Sequence, residues 1–528
     1  MRKRWFLLLA LPAIVAVLAS SRELRETPLP AAAGSPAAFA AFIDDHFPAW
    51  LAQYRVPGVC VGLVDDDFEH LRCHGTPRAG TGRALDATSR FGIASVSKAF
   101  TALAVLTLAA GGRLGLDDPV ERHLASWRFP RNAYDGSRVT VRQLLAHTAG
   151  VGVASYGGAV SPSPGETTVD VLAGRTAGRQ AVTLVAPPGS GFRYSGGGYL
   201  VLQLLVEDLS AQPFERYVTQ RIFHPLGMRD SSFSWGSERD GDTAGHDVAG
   251  RALPHYTYGA AMAPGAMVTT AQDMQRFVSA FAHGRLPAVL GWPHGMWERY
   301  LSHAQGRYGL GLTITEANGH LLVGHAGTTM GYDAGFTALP AEGAGWFVLE
   351  NGNGGVFLKP ELDRLFLQWK ARTADPRHAA ARWLRAAVTF LAVMLPALGG
   401  FLLVSLAVGV RSGRRTLAAA RRLSLPGTTA RLALASTLGA AVVFWLVFFH
   451  TDTFYPAFTT AWMPYAFRFA TLGAVLLLLR GMLGCLFVRE RQTPRPLPAA
   501  SRAREADAAA STGRGPSDGG GVGGMRPR

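Results

Sequence analysis

Lysine is almost missing from this chain. Of 52 Lys and Arg residues in 528, only Lys3, Lys98, Lys359 and Lys370 are lysines. Arginine carries nearly all the cationic surface, so an interior lysine stands out. A desolvated amine can give up its proton, whereas a guanidinium effectively cannot. Cysteine is scarcer still: Cys60, Cys73 and Cys485 have no metal-ligand spacing. Cys485 sits in an apolar run and reads as a plain core or lipid-facing residue. His147, His246, His255 and His325 are scattered singly, which excludes the clustered ligands of a zinc hydrolase. Neither Ser95, with Ile93 two places before it, nor Ser195, with Arg193 there, fits the Gly-x-Ser-x-Gly elbow of an α/β-hydrolase. We therefore expect no metal and no cofactor.

The net charge of +15 suggests nucleic-acid binding until it is located. After Lys370 there are 20 Arg against 6 acidic residues, and residues 2–4 are all basic, which leaves residues 5–370 close to −2. Positive charge that flanks apolar segments and fills a tail fits the positive-inside rule, and no nucleic-acid partner is expected.

Residues 1–20 open with Arg2-Lys3-Arg4 and an apolar run from Trp5 to Ala19, the design of a signal peptide, with an uncleaved signal anchor as the alternative. Either one exports the domain C-terminal to it. Residues 36–372 read as one globular domain. A helical stretch (Ala37 to Tyr54) precedes a hairpin, Gly58 to Val64 and Phe68 to Gly75, turning at Asp65-Asp66-Asp67. A mainly helical middle comes next. Strands return at Gly309 to Thr315, His320 to Val323, Gly335 to Ala338 and Trp346 to Glu350, before a last helix from about Pro360 to Ala371. Strands at both ends with helices between predict an α/β layered domain, one antiparallel sheet flanked by helices with a helical subdomain inserted.

Residues 383–490 then carry three apolar runs: Ala386 to Val410, Leu432 to Phe449, and Phe469 to Val488 with only Arg480 inside. Each is expected to be a transmembrane helix. Six Arg lie between the first two and more come after the third. That asymmetry places the loop and tail in the cytoplasm and the globular domain outside it, in a multi-pass, extracytoplasmic (periplasmic) topology with membrane lipids as partners. Residues 491–528 read as a disordered basic tail.

The chemistry centres on Ser95-Val96-Ser97-Lys98, followed by an apolar helical stretch from Ala99 to Ala110. Three-residue spacing puts Ser95 and Lys98 on one helix face. Ser95 falls at the helix N-terminus, where free N–H groups favour developing negative charge. Lys98 can help take the serine proton. Tyr194, in Phe192-Arg193-Tyr194-Ser195-Gly196-Gly197-Gly198, comes after a Pro-Pro-Gly turn and is a candidate general base. His325-Ala326-Gly327-Thr328, read as the end of a strand, offers small residues against which a substrate backbone can lie. The Thr328 amide would complete an oxyanion hole with that of Ser95.

The order Ser-x-x-Lys, Tyr, basic residue-x-Gly resembles the penicillin-recognising serine hydrolases, in particular the class C β-lactamase and D-alanyl-D-alanine carboxypeptidase branch, which also holds esterases and D-aminopeptidases. The similarity extends to residues 112–120, 144–150, 188–199 and 225–228. It implies a β-lactamase-like fold, with Ser95 acylated, Lys98 and Tyr194 sharing proton transfer, and His325 where many members carry Lys. Gly196, Ala326 and Gly327 would line the substrate. The Asp117-Asp118-Pro119 and His147-Thr148-Ala149-Gly150 segments look structural.

Two departures matter. Tyr-x-Asn reads Tyr194-Ser195-Gly196, and Lys-Thr-Gly reads His325-Ala326-Gly327. Both point away from an efficient β-lactamase and toward an esterase or peptidase-like hydrolase, with a small-molecule or peptide substrate of cell-wall origin among the options. The alternative is a catalytically weak penicillin-binding or sensory domain coupled to the membrane segment. The hairpin register also sets Cys60 opposite Cys73, leaving open a disulfide or two packed thiols. Oligomeric state is not readable.

Overall fold

The computed structural model describes residues 2–23, 26–156, 165–176, 179–236, 241–247, 250–305, 308–372, 376–413 and 415–417, with short pieces between 472 and 489. Ten strands belong to the described residues before 372: β1 (Gly58–Asp65), β2 (Phe68–Gly75), β3 (Arg90–Gly92), β4 (Val268–Thr270), β5 (His303–Gln305), β6 (Tyr308–Gly309), β7 (Thr313–Ala317), β8 (His320–Thr329), β9 (Tyr332–Leu339) and β10 (Ala344–Glu350). Eight form one antiparallel sheet in the order β2-β1-β10-β9-β8-β7-β6-β5. The N-terminal hairpin thus docks on the last strand, with Val59 opposite Glu350 and Asp65 opposite Ala344. Asp66 turns that hairpin in the left-handed region (φ 48°), a conformation Asp tolerates better than most residues. Asp65 then faces Phe68 and Gly58 faces Gly75. β3 and β4 form a separate two-stranded ribbon.

The helices are α1 (Arg2–Glu23), α2 (Pro36–Tyr54), α3 (Ser97–Ala110), α4 (Val141–Leu145), α5 (Thr168–Leu172), α6 (Gly196–Ser210), α7 (Phe214–Val218), α8 (Ala271–Ala282), α9 (Leu286–Leu290), α10 (Met296–Leu301), α11 (Gly355–Ala371) and α12 (Pro376–Arg411). Ser35 caps α2 by accepting from the Ala38 amide at 3.2 Å, and Thr270 caps α8 through the Asp273 amide at 3.2 Å. Each cap satisfies an amide that the first turn leaves free.

Alternation in the strands decides which layer each side chain joins. Val59, Val61, Leu63, Trp346 and Val348 face α2 and α11, where Phe39 stacks on Trp369 at 4.5 Å. Phe336, Ala334, Ala338 and Val323 face the larger core of α3, α6 and α8. Phe277 of α8 meets Phe100 at 4.5 Å and Phe336 at 5.2 Å there, which locks the helical layer to the sheet.

Several strands run longer than their apolar patterns suggest. The stretch from Gly309 to Thr315 is broken between Gly309 and Thr313, where Gly311 takes φ +86°. β8 continues past Val323, so His325 lies within the strand and not at its end. The last helix starts near Gly355 and carries Pro360 inside. Cys60 and Cys73 form a disulfide.

Beyond residue 372 one helical segment among the described residues, Thr389–Arg411, is long and apolar enough to cross a membrane, where the sequence suggested three. The second run (432–449) and the tail (491–528) lie outside the described residues. The third is helical over 475–481, but Phe487 and Val488 are extended, in a strand β12 (Phe487–Arg489) pairing with β11 (Arg415–Leu417). There the backbone bonds go to another segment, which apolar composition alone does not reveal. In this second unit, Arg480 Nε donates to the Leu402 carbonyl at 3.1 Å.

The disulfide closes a loop with a sequence separation of 13. Replacing both cysteines by Ser is expected to lower stability by about 3 kcal/mol. Urea unfolding of the variant, and of the wild type with and without reductant, checks this.

Candidate active site

Ser95 sits in a 3₁₀ turn (Ala94–Val96) between β3 and α3. Ala94, just before it, has φ +46°, a left-handed conformation that costs a non-glycine residue of order 1 kcal/mol and needs support from its surroundings. The support is visible. Ser97 Oγ donates to the Ala94 carbonyl at 2.5 Å and accepts from the Met267 amide at 3.0 Å, and the Ile93 amide donates to the Met267 carbonyl at 2.9 Å. The serine turn is thereby stapled to the segment leading into β4.

Lys98 lies on the first turn of α3 with only 2% of its surface exposed. Its Nζ donates to Ser95 Oγ at 3.0 Å and to the Pro264 carbonyl at 2.5 Å. It also stands 4.8 Å above the Tyr194 ring and 5.5 Å from that of Tyr199. Oxygen acceptors and aromatic faces compensate the amine in place of a carboxylate. Ser95 itself remains half-buried.

Tyr194 arrives on the loop before α6, whose N-cap is Ser195: its Oγ donates to the Gly152 carbonyl at 2.6 Å and accepts from the Gly198 amide at 3.0 Å. The Ser195 amide donates to His147 Nδ1 at 3.1 Å, and the His147 ring lies 4.3 Å from that of Tyr194. The structure thus brings Ser95, Lys98 and Tyr194 together. Gly196 is buried as the first residue of α6. A Cβ there would approach the Ala154 carbonyl at 3.2 Å and the Ser155 Cα at 3.3 Å, so this position leaves little room for an Asn side chain.

From His325 to Thr329, β8 pairs among the described residues with β9 alone, because β7 pairs no further along it than Gly324. A Cβ on Gly327 would lie 2.2 Å from the Ile93 carbonyl and 2.8 Å from the Ser95 amide nitrogen. Glycine is therefore required for the strand to run this close to the nucleophile turn. Thr328 is the next residue, with its side chain bonded to Asp333 across the sheet. Ala326 is exposed, while His325 is buried at 6%.

His325 does not stand as a free cation. Its Nε2 meets the Tyr308 hydroxyl at 2.8 Å and its Nδ1 the Ala326 carbonyl at 2.6 Å. Burial first, and the Lys98 charge second, hold its pKa down to about 3. The same two causes, with His325 as a third, keep His147 well below the ordinary imidazole range. Residues the motif pattern did not single out complete the wall. Tyr308 lies 4.7 Å from His147 and 5.8 Å from Phe192, and the Tyr199 hydroxyl donates to the Leu145 carbonyl at 2.9 Å. His147 falls in the segment read as structural; its place against Tyr194 depends on folding across 47 residues and has no local signal. Among the described residues no group of His, Cys, Asp and Glu could hold a metal.

A long antiparallel sheet layered between helices, with a serine and a buried lysine one turn apart beneath it, defines a β-lactamase-like α/β protein. The chain belongs to the Beta-lactamase family, whose model matches residues 43–368. It is 26% identical over 332 residues to Protein flp of Staphylococcus aureus (strain N315), covering 57% of this chain and 61% of that protein. It is 37% identical over 207 residues to Esterase EstB of Burkholderia gladioli, covering 37% of this chain and 52% of the esterase. The chain thus spans about three-fifths or less of the length of these relatives. The octameric penicillin-binding protein homologue from Pyrococcus abyssi superposes with a TM-score of 0.56 at 25% identity, over 65% of this chain and 81% of that one. The D-amino acid amidase from Ochrobactrum anthropi SV3, complexed with L-phenylalanine amide, shares the fold with a TM-score of 0.51 at 20% identity, over 63% of this chain and all of that one.

The buried histidines have a consequence for stability. Below pH ~6.5 the unfolded chain takes up a proton on His325 that the folded protein refuses until about pH 3, so this residue favours unfolding as pH falls through that window. Asp333, raised to about 7 mainly by burial, works in the opposite direction over part of the same range. Comparing His325→Gln with wild type cancels the aspartate contribution. The variant should gain relative stability by up to about 1.4 kcal/mol per pH unit below pH ~6.5, read from denaturant midpoints across pH.

Proposed function

We propose that this protein is a membrane-anchored serine hydrolase that acts through an acyl-enzyme on Ser95, on ester, amide or peptide substrates. The observation that carries this is the buried Lys98 amine bonded to the Ser95 hydroxyl at 3.0 Å over the face of Tyr194. In this reading Ser95 Oγ attacks the substrate carbonyl while Lys98, with Tyr194, takes its proton. In the same reading the amides of Ser95 and Thr328 hold the oxyanion, which the close approach of β8 at Gly327 to the Ser95 turn supports. Tyr194 and Lys98 return the proton to the leaving group, and water then releases the acyl chain. The esterase and amidase among the similar proteins support the substrate class.

The anchoring rests on the apolar helix Thr389–Arg411 and the Arg-rich stretch immediately after it. We place the hydrolase domain outside the cytoplasm and the tail inside it. Protease added to intact cells should then cleave the hydrolase domain and spare an epitope at the C-terminus; the reverse pattern rejects this topology.

Gly196 in place of an asparagine favours one rival, a domain that is acylated without turnover. A fluorophosphonate probe and a hydrolysis panel separate the two on the full chain. Wild type should label at Ser95 and turn over an aryl ester. Ser95→Ala should do neither. Lys98→Ala and Tyr194→Phe should lose roughly 10²- to 10⁴-fold in kcat/KM. Labelling without turnover of any substrate selects the sensor.

A further inference from the structure

Gln203 interrupts an otherwise apolar run on α6, Leu200 to Val206, and is only 1% exposed. A buried amide in such a run needs partners for both its ends. It finds most of them on one segment. Oε1 accepts from the Met262 and Ala263 amides, both at 2.9 Å, and Nε2 donates to the Ala260 carbonyl at 2.7 Å. Those two amides can only donate and that carbonyl can only accept, so the orientation of the side chain is fixed. The second Nε2 hydrogen is left for Thr168 Oγ1 at 2.9 Å and Glu207 Oε1 at 3.1 Å. Residues 258–266 form turns whose own bonds are local, such as Ala261 amide to Tyr258 carbonyl and Gly265 amide to Met262 carbonyl, both at 3.1 Å. Side chains fasten this strap to the helices. Thr101 Oγ1 of α3 donates to the Ala263 carbonyl at 3.0 Å, while Gln203 holds the Ala263 amide. The next residue is Pro264, whose carbonyl takes Lys98 Nζ. Proline has no N–H with which to anchor itself, so the place of that carbonyl depends on how residue 263 is held.

From this geometry we infer that Gln203, with Thr101, is a positioning residue of the Ser95 reaction: the pair clamps the 260–264 strap so that the Pro264 carbonyl meets Lys98 and aligns its amine on the serine hydroxyl. The inference rests on the Ser95 reading above and adds the residues that aim its amine. One helix then serves two members of the site, because the loop before α6 carries Tyr194 and its second turn fixes the acceptor of Lys98. Neither Gln203 nor Thr101 touches the reacting atoms in this scheme.

The test uses the full chain in detergent with p-nitrophenyl butyrate and a fluorophosphonate probe. Gln203→Met keeps the length of the side chain and removes its hydrogen bonds. Its kcat/KM and its rate of Ser95 labelling should fall together, by roughly 10- to 100-fold. Lysine is so rare here that labelling its ε-carbon with ¹³C yields signals from Lys3, Lys98, Lys359 and Lys370 alone. In Gln203→Met the Lys98 signal should move while those of Lys359 and Lys370 stay. Leu205→Ala is the control for stability: it opens a cavity on the same helix without reaching the strap, so its denaturant midpoint should fall while kcat/KM stays within about threefold of wild type. Wild-type rates in Gln203→Met overturn the inference, as does an unmoved Lys98 signal. A Leu205→Ala variant that loses as much activity and moves Lys98 as far also overturns it, since Gln203 would then matter only for folding. Should circular dichroism show Gln203→Met unfolded, Thr101→Val decides: a severalfold loss in kcat/KM with a moved Lys98 signal is expected, and wild-type behaviour in both overturns the inference. Failure of the underlying reading looks different. Wild type then hydrolyses no ester and Ser95 takes no acyl group by mass spectrometry, which removes both claims whatever the Lys98 signal does.

Discussion

A lysine amine taken out of water needs replacement partners, and much of the site's local structure reflects how Lys98 finds them. Its donors reach a serine hydroxyl and a backbone carbonyl, while two tyrosine rings approach it. Each partner comes from a different part of the chain. Pro264 lies before β4, Tyr194 before α6, and Ser95 on a turn that stays strained unless the segment before β4 holds it through Ser97. Displacing any of these leaves an amine in a low-dielectric interior with fewer compensating dipoles, a change costing several kcal/mol. The amine thus enforces the convergence of three segments.

The sheet supplies the rigid frame for that convergence. Joining the N-terminal hairpin to β10 closes the domain over distant sequence, and the aromatic contacts of Phe277 and Phe336 fasten the helical layer to it. On this frame β8 can be brought within van der Waals limits of the nucleophile turn, a distance that only glycine at 327 permits. Among the described residues no strand pairs with β8 on that side beyond Gly324, and in the proposed reading its free backbone groups there meet the substrate.

The third motif shows how neighbours can alter the chemistry of a position that a pattern assigns. A histidine in place of lysine reads as a weaker cation. Folded, it lies between a tyrosine hydroxyl and a carbonyl, where burial and the field of Lys98 disfavour its charged form. The Tyr-x-Asn position behaves in the same way. Gly196 is not merely a lost amide; it lies against the backbone of residues 154 and 155 at the start of α6. Both departures therefore belong to the packing of this particular site.

The amino-acid order alone was enough for features set by local periodicity. These include the hairpin register that pairs Cys60 with Cys73, the one-turn spacing of Ser95 and Lys98, the apolar run at 386–410, and the antiparallel sheet built from both ends of the domain. Their physical basis is short-range: alternation in a strand, 3.6 residues per helical turn, and the length of apolar chain that spans a bilayer. What only the tertiary structure decided depends on contacts between residues far apart in sequence. His147 against Tyr194, Tyr308 on His325, Pro264 on Lys98 and the oxidised state of the cysteine pair have no local signature. Hydrogen bonding and desolvation set the charge of a side chain, and both are properties of the folded surroundings that its own neighbours in the chain do not encode.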